Sequence, residues 1–109
     1  MAYDEGLATR VRDELGGEPG LVEKKMFGGL AFLVDGNMAV GVRGDNLMVR
    51  LSTEDADDAL GGAFVHPFVM GGRSSKGFVL VSPGGHGVDA DLRDWVGRGV
   101  AYARTLAPK

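Results

Sequence analysis

Apolar residues near the start of the chain recur with the period of a helix. Leu7, Val11 and Leu15 lie four residues apart, and acidic residues precede them where the positive end of a helix dipole would lie. Gly16-Gly17 then offers the left-handed conformation in which helices often end. The pattern predicts an amphipathic helix over residues 4–15.

Between residues 21 and 51 the hydrophobic period changes to two, which is typical of half-buried strands. The alternating apolar residues are Met38, Val40, Val42, Leu47, Val49 and Leu51. Asp35-Gly36-Asn37 and Gly44-Asp45 accept positive φ, so we predict two tight turns in an antiparallel meander. Leu30–Val34 is apolar throughout, which predicts a central strand covered on both faces or one whose second face meets a partner.

The next part of the chain predicts a short helix and an edge strand. Ser52 or Thr53 can cap an acidic helix over residues 54–60. Pro67 lacks an N–H and is tolerated on an edge strand, so the apolar residues around it predict an edge. These residues are Phe64, Val65, Phe68, Val69 and Met70.

Glycine-rich segments separate the last predicted elements. Residues 71–75 are predicted to form a polar loop before the strand Gly77–Val81, and Pro83–Gly87 to form a flexible linker. A terminal helix begins at Asp89, with one apolar stripe that packs on the sheet. The stripe is Leu92, Trp95, Val96, Gly99, Tyr102, Ala103 and Leu106. This order predicts a two-layer α+β domain with an antiparallel meander sheet and N-terminal, short middle and C-terminal helices.

Composition narrows the class of protein. With 109 residues, 44% hydrophobic and 25% charged, the chain is predicted to be one globular domain spanning residues 1–109, with little interior for a large cofactor. The absence of cysteine excludes disulfides, thiolate metal sites and cysteine nucleophiles. An acidic N-terminus and the lack of a long apolar run predict a cytoplasmic protein with no membrane segment and no cofactor.

The sequence pattern assembles neither a catalytic centre nor a metal site. His66 and His86 lie in separate predicted loops without helical spacing, whereas a metal needs several convergent ligands. Ser74 and Lys76 could share one face of a strand as a nucleophile and base, but nothing else supports that arrangement. The acidic run at residues 54–58 is typical of a solvated helix face. We therefore predict a non-catalytic protein.

Positive charge is concentrated in the predicted strands. The chain has a net charge of -3, yet its strand segments 21–51 and 63–82 contain six basic residues and three acidic ones. The basic residues are Lys24, Lys25, Arg43, Arg50, Arg73 and Lys76. Several of them could share the sheet face opposite the helices, and the alternative is that they are scattered solubilising charges. The negative total predicts that direct nucleic-acid binding is weak at most.

The segment Val22–Phe32, with its motif Lys25-Met26-Phe27-Gly28-Gly29, resembles the N-terminal domain of the TfoX/Sxy competence-regulator family. The likeness continues through Gly36–Val42, Leu47–Leu51 and the ending Trp95–Leu106. It implies a two-layer fold like that of type III secretion chaperones. It also implies a non-enzymatic role in regulating natural transformation alongside the cyclic-AMP receptor protein. Full-length regulators of the family carry a second, C-terminal domain, and this chain is expected to be a stand-alone first domain.

The motif itself allows two hypotheses. On a strand, Lys24 and Met26 point to one face while Lys25 and Phe27 point to the other. Gly28-Gly29 is predicted to bend the strand or form a bulge, and the motif is then purely architectural. Alternatively, the bend exposes Lys25 and Phe27 to a partner. The residues assigned to architecture are Met26, Gly28, Gly29, Gly36 and Trp95.

The leading functional hypothesis is a regulatory or adaptor domain that binds another protein, with the transcription machinery as one candidate partner. The predicted partner-binding residues are Lys24, Lys25, Phe27, Arg50, Arg73 and Lys76. The alternative is a small anionic-ligand binder or enzyme that uses Arg50, Arg73 and Lys76, since arginine forks match carboxylate and phosphate geometry. We also predict a homodimer, because the apolar segment Phe64–Met70 lies beside a predicted edge.

Overall fold

A computed structural model describes residues 3–26, 28–70 and 72–109 of the chain. Helices lie at both ends and in the connections, and strands form the middle. The elements are α1 (Glu5–Glu14), β1 (Leu21–Met26), β2 (Gly29–Val34), β3 (Asn37–Arg43), β4 (Asn46–Arg50), α2 (Thr53–Ala59), β5 (Val65–Met70), β6 (Arg73–Val81), α3 (Pro83–His86) and α4 (Asp89–Ala103). Asp4 caps α1 and Ser52 caps α2 through their side chains.

The strands form a six-stranded antiparallel sheet in the order β1-β2-β3-β4-β6-β5. The first four strands follow the predicted meander. Asp35 and Gly36 both have positive φ, 52° and 83°, as a two-residue hairpin turn with the favoured twist requires. After α2 the chain forms β5 at the edge and returns as β6 between β4 and β5. The predicted two-layer α+β architecture is confirmed.

The main core lies between the sheet and the helices α1 and α4. Alternate strand residues point into it, and Leu7, Val11, Leu92 and Val96 meet them from the helices. The strand residues are Leu30, Phe32, Val40, Val42, Leu47, Val49, Val79 and Val81. Burying each such side chain contributes about 1.5–3 kcal/mol, so this layer supplies most of the driving force for folding.

Helix α4 approaches the sheet closely at a β-bulge. The register between β2 and β3 shifts between Phe32 and Leu33, which makes Ala39 the extra residue of β3. Gly99 of α4 packs on this point. A Cβ atom added to Gly99 would meet the carbonyl oxygen of Ala39 and would lie 2.7 Å from Cγ1 of Val40. Glycine is therefore required here for close approach.

The prediction of a flexible linker at residues 83–87 is wrong. Pro83–His86 forms the short helix α3, and His86 is 5% exposed with its Nε2 atom 2.9 Å from the carbonyl oxygen of Asp45. The glycines of this segment serve packing, because a Cβ atom on Gly84 would lie 2.6 Å from Cδ1 of Phe64. His86 is thus a buried helical residue and not a loop residue. His66 likewise lies on β5.

The prediction of a polar loop at residues 71–75 is also wrong for residues 73–75, which belong to β6. Arg73 begins β6 and pairs with Met70 across the hairpin, next to Gly72 with a φ of 79°. The partner strand imposes extended structure on residues whose own polarity gave no strand pattern. Gly71 lies outside the described residues.

The glycine motif forms a turn instead of a bent or bulged strand. Met26 pairs with Gly29, and Gly28 has a φ of 75°, so β1 and β2 make a tight hairpin. The motif therefore reverses the chain. Phe27 lies outside the described residues.

Among the residues that the structure describes, no helix has both the length and the apolar character needed to span a membrane.

Candidate functional site

The sheet face opposite α1 and α4, here called the outer face, has its own apolar cluster. Strand residues alone build this cluster in the described part of the chain. They are Ala31, Leu33, Met38, Met48, Phe68, Phe78 and Leu80. Met48 is 1% exposed and Phe68 is 6% exposed, so part of the outer face is covered although it lacks a helical layer.

The closed end of the β5–β6 hairpin provides that cover. In a flat sheet, three strand spacings would separate β3 from β5 by about 14 Å. Instead, the guanidinium carbon of Arg43 on β3 lies 5.4 Å from the ring centre of Phe68, and its Nη1 lies 3.5 Å from the carbonyl oxygen of Val69. The register between β5 and β6 shifts between Pro67 and Val69. The β4–β6 pairing ends at Phe78, and the closed end of the β5–β6 hairpin beyond it lies over the outer face.

Two arginines stack on two phenylalanine rings in this region. The guanidinium of Arg50 lies 5.2 Å from the ring centre of Phe78 and 5.7 Å from that of Tyr102. The rings of Phe68 and Phe78 lie 6.0 Å apart and tilt by 53°. Arg43, Arg50, Phe68 and Phe78 are called the arginine–aromatic cluster below. Each such cation–π contact contributes about 0.5–1 kcal/mol at an exposed site.

The charges of the cluster are not neutralised by carboxylates. The arginines that form salt bridges among the described residues are Arg10, Arg12, Arg93 and Arg104. No carboxylate of a described residue lies within salt-bridge distance of Arg43 or Arg50. Both arginines are half-buried, and each guanidinium carries several N–H donors in a fixed planar fork. Such groups can bind a carboxylate or a phosphate from another molecule.

The predicted site residues separate between the two faces of the sheet. Lys24 is opposite Ala31, which places it on the outer face with Arg50. Lys25 is opposite Leu30, which belongs to the core beneath the helices. Both lysines are exposed. The alternation expected from the sequence therefore holds, and only one of the two lysines can join the cluster's face.

The remaining predicted residues have other positions. Lys76 is exposed on β6, immediately before Gly77, whose φ is 82°. Phe27 and the side chains of Arg73 and Ser74 lie outside the described residues.

Two of the residues assigned to architecture, Gly36 and Trp95, make packing contacts, whereas Met26 is exposed. A Cβ atom on Gly36 would lie 2.7 Å from Cβ of Lys109, so the turn between β2 and β3 supports the end of the chain. Trp95 packs against the main core and its ring lies 4.7 Å from the guanidinium of Arg98. Met26 is 42% exposed at the end of β1.

Sequence reasoning did not assign Arg43, Phe68 or Phe78 to the site. The hydrophobic pattern could have placed two of them, because Arg43 directly follows Val42 and Phe78 directly precedes Val79 in predicted strands. Neighbouring residues of a strand point to opposite faces of the sheet. Because Val42 and Val79 point into the core, Arg43 and Phe78 point to the outer face. The pattern could not place Phe68, because its position depends on how the closed end of the β5–β6 hairpin lies over the outer face.

A separate polar contact links α1 to β1 on the helix side. Arg12 donates from Nε and Nη2 to the two carboxylate oxygens of Glu23 at 2.7 and 2.9 Å. This hydrogen bonding lowers the pKa of Glu23 and raises the pKa of Arg12. Glu23 is therefore held ionised and oriented at the edge of the sheet.

Two shallow grooves run beside α4. One lies against α1 and includes Glu14 and Arg93, and the other lies beside α2 and includes Asp55 and Tyr102. Neither of these two grooves is lined by Arg50, which the anionic-ligand alternative would use. The described residues contain no group of three or more histidines and acids placed to hold a metal ion.

The family model of the TfoX N-terminal domain matches residues 13–103 of the chain. The match spans all six strands, the helices α2, α3 and α4, and the last two residues of α1. No curated protein and no solved structure matched the chain.

Proposed function

Because the chain belongs to the family of TfoX N-terminal domains, we propose that it is a non-catalytic regulatory adaptor that binds another protein in the cytoplasm. The family is known for competence regulation, which favours a partner that acts in transcription. The outer face of the sheet is the binding surface in this proposal. Fold membership supports the regulatory role, and the choice of surface rests on the geometry of the site.

The arginine–aromatic cluster carries the proposal. Its two arginines contact ring faces and have no carboxylate partner among the described residues. An arginine that only increases solubility would be fully exposed, whereas Arg43 and Arg50 are half-buried and lie over aromatic rings. A stacked guanidinium is already oriented, so less side-chain entropy is lost when it binds.

The chemistry of the surface defines the partner. Carboxylates would pair with Arg43 and Arg50, and Lys24 adds positive charge on the same face. Apolar side chains would contact the half-buried Leu33 and Leu80. The partner is therefore an acidic segment with apolar residues next to its carboxylates. Arginine and aromatic residues are also the types that dominate binding energy at protein interfaces.

Peptide display on the immobilised domain tests this proposal. We expect the wild-type domain to select peptides enriched in Asp or Glu next to apolar residues. The double variant Arg43→Gln and Arg50→Gln should lose that selection and weaken binding of the best peptide at least tenfold. If these arginines lay only at the solvent-exposed rim of the interface, their removal would weaken binding far less, because solvent screens charges at the rim.

A matched control removes the same amount of charge from α4 in the helix layer. Arg93 and Arg98 lie on α4, and Arg98 stacks on Trp95 just as the cluster's arginines stack on phenylalanine. The double variant Arg93→Gln and Arg98→Gln should bind the selected peptides like the wild type. Equal losses in both double variants, or selection of peptides without acidic residues, would contradict the proposal. Specific binding of a small phosphate or carboxylate compound in place of peptides would favour the anionic-ligand alternative.

A further inference from the structure

The two edges of the sheet differ in their ability to accept another strand. At one edge, β5 contains Pro67 and a register shift, both of which interrupt a hydrogen-bonding row. At the other edge, β1 pairs with β2 through six consecutive residues without a shift. Residues 22–26 are all exposed. The free edge of β1, which is not paired with β2, therefore presents an unbroken row of backbone N–H and C=O groups.

We propose that β1 pairs antiparallel with β1 of a second copy of this chain, across a two-fold axis perpendicular to the sheet. In this arrangement both copies present the same face of the sheet on the same side. Residues directly opposite each other must then point to the same face. Faces alternate along a strand, so residues that share a face are both even-numbered or both odd-numbered. The two-fold axis must therefore pass through one residue, which faces its own copy, and not between two residues.

Charge and hydrophobicity select one of these registers. With Lys24 at the centre, Glu23 lies opposite Lys25 of the second copy, and Val22 lies opposite Met26. By symmetry each pair forms twice. Centring on Glu23 would place this carboxylate opposite itself and Leu21 opposite Lys25. Centring on Lys25 would place that lysine opposite itself and Lys24 opposite Met26. Only the register centred on Lys24 joins opposite charges and apolar partners together.

Exposure supports the same register. Val22 is 57% exposed and Met26 is 42% exposed, although both are apolar, and pairing would cover them against each other. Glu23 is already oriented by its two hydrogen bonds from Arg12. Its pairing with a second cation therefore costs little additional side-chain entropy. The contact between the two copies of Lys24 opposes association and keeps it reversible.

This edge differs from the one expected from the sequence, which lay beside Phe64–Met70. The pairing also has a geometric consequence. Two six-stranded sheets would join into one, with both outer faces on the same side. A partner with two acidic segments could then contact both copies at once and gain avidity.

Charge-reversal variants test the register by sedimentation equilibrium from low to high micromolar protein. We expect a concentration-dependent dimer of the wild-type chain. Lys25→Glu should be monomeric, because the substituted residue would face Glu23. Glu23→Lys should also be monomeric, for the opposite reason. An equimolar mixture of the two variants should form a heterodimer, because every facing pair at positions 23 and 25 again carries opposite charges.

Further variants separate this contact from effects on folding. Lys24→Ser removes the repulsion at the centre and should tighten the dimer about threefold. Arg98→Gln changes a charge on α4 and should leave association unchanged. Circular dichroism of each variant shows whether the fold persists. Sedimentation of the wild type as a monomer at every concentration overturns the proposal. A dimer that survives Lys25→Glu, or a folded pair of variants that stay apart when mixed, overturns it equally.

Discussion

Two glycines of α4 offer the sharpest test of how the helix layer contacts the sheet. Gly97 and Gly99 lie in the same helix, two residues apart. A Cβ atom on Gly97 would meet no atom within 4 Å, whereas one on Gly99 would meet the bulge at Ala39 and Val40. The same change to alanine therefore has opposite effects at the two positions.

The magnitudes follow from helix propensity and packing. Alanine is better than glycine inside a helix by about 1 kcal/mol, so Gly97→Ala should stabilise the domain by about that amount. Gly99→Ala has the same gain but forces α4 away from the carbonyl of Ala39, which is backbone and cannot rotate aside. Overpacking of this kind costs about 1–3 kcal/mol, and a backbone obstacle lies at the upper end. We expect a net loss of about 2 kcal/mol for Gly99→Ala.

Urea unfolding followed by circular dichroism measures both free energies of unfolding. The two variants should differ by about 3 kcal/mol, and in thermal scans Gly97→Ala should melt about 4 °C above the wild type. Equal stability of the two variants would refute the close approach of α4 to the bulge. A stabilised Gly99→Ala variant would do the same.

Two further predictions concern polar contacts. The hydrogen bonds from Arg12 hold the pKa of Glu23 below its ordinary value of 4.5, so their contribution to stability is present above that pH and is lost as the pH falls through the lowered pKa. Glu23→Gln should therefore cost about 0.5 kcal/mol in urea unfolding at neutral pH and nothing at strongly acidic pH, and an equal cost at both would contradict this account. Asn37 is 1% exposed and its Nδ2 donates to the carbonyl oxygen of Ala107 at 2.9 Å. The N–H of Lys109, two residues further on, donates to the carbonyl oxygen of Asp35 at 2.8 Å. Asn37→Ala should cost about 1–2 kcal/mol and speed hydrogen exchange of the Lys109 amide, and unchanged exchange would argue against this anchor.

Local physics accounts for the parts of the fold that the sequence predicted. The spacing of Leu7, Val11 and Leu15 defines a helical face without reference to any other element. Asp35 and Gly36 favour a turn through their own backbone preferences. Alternation in β3 and β4 assigns Arg43 and Arg50 to the face opposite the core. These features were predictable because each depends on residues close together in the chain.

Tertiary contacts account for the rest. The segment Pro83–Gly87 has the composition of a linker, and it becomes a helix because Phe64 and Asp45 surround it with packing and a hydrogen-bond partner for His86. Phe68 reaches Arg43 because the closed end of the β5–β6 hairpin extends past the last β4–β6 pair and lies over the outer face. No local pattern in the sequence encodes that position. The candidate site was therefore predicted in part, through Arg50 and Lys24, while its aromatic half was not.

The position of β6 between β4 and β5 also leads us to expect an order in which the strands assemble. Within β1–β4, every pairing joins strands that are neighbours in the sequence, and such short loops close quickly. The β5–β6 hairpin instead pairs with β4 across α2, which closes a longer loop, so we expect this pairing to form later. Because this hairpin supplies both phenylalanines of the arginine–aromatic cluster, the proposed binding surface would be complete only after that pairing forms. A partner that recognises the outer face would therefore distinguish completely folded molecules from incomplete ones.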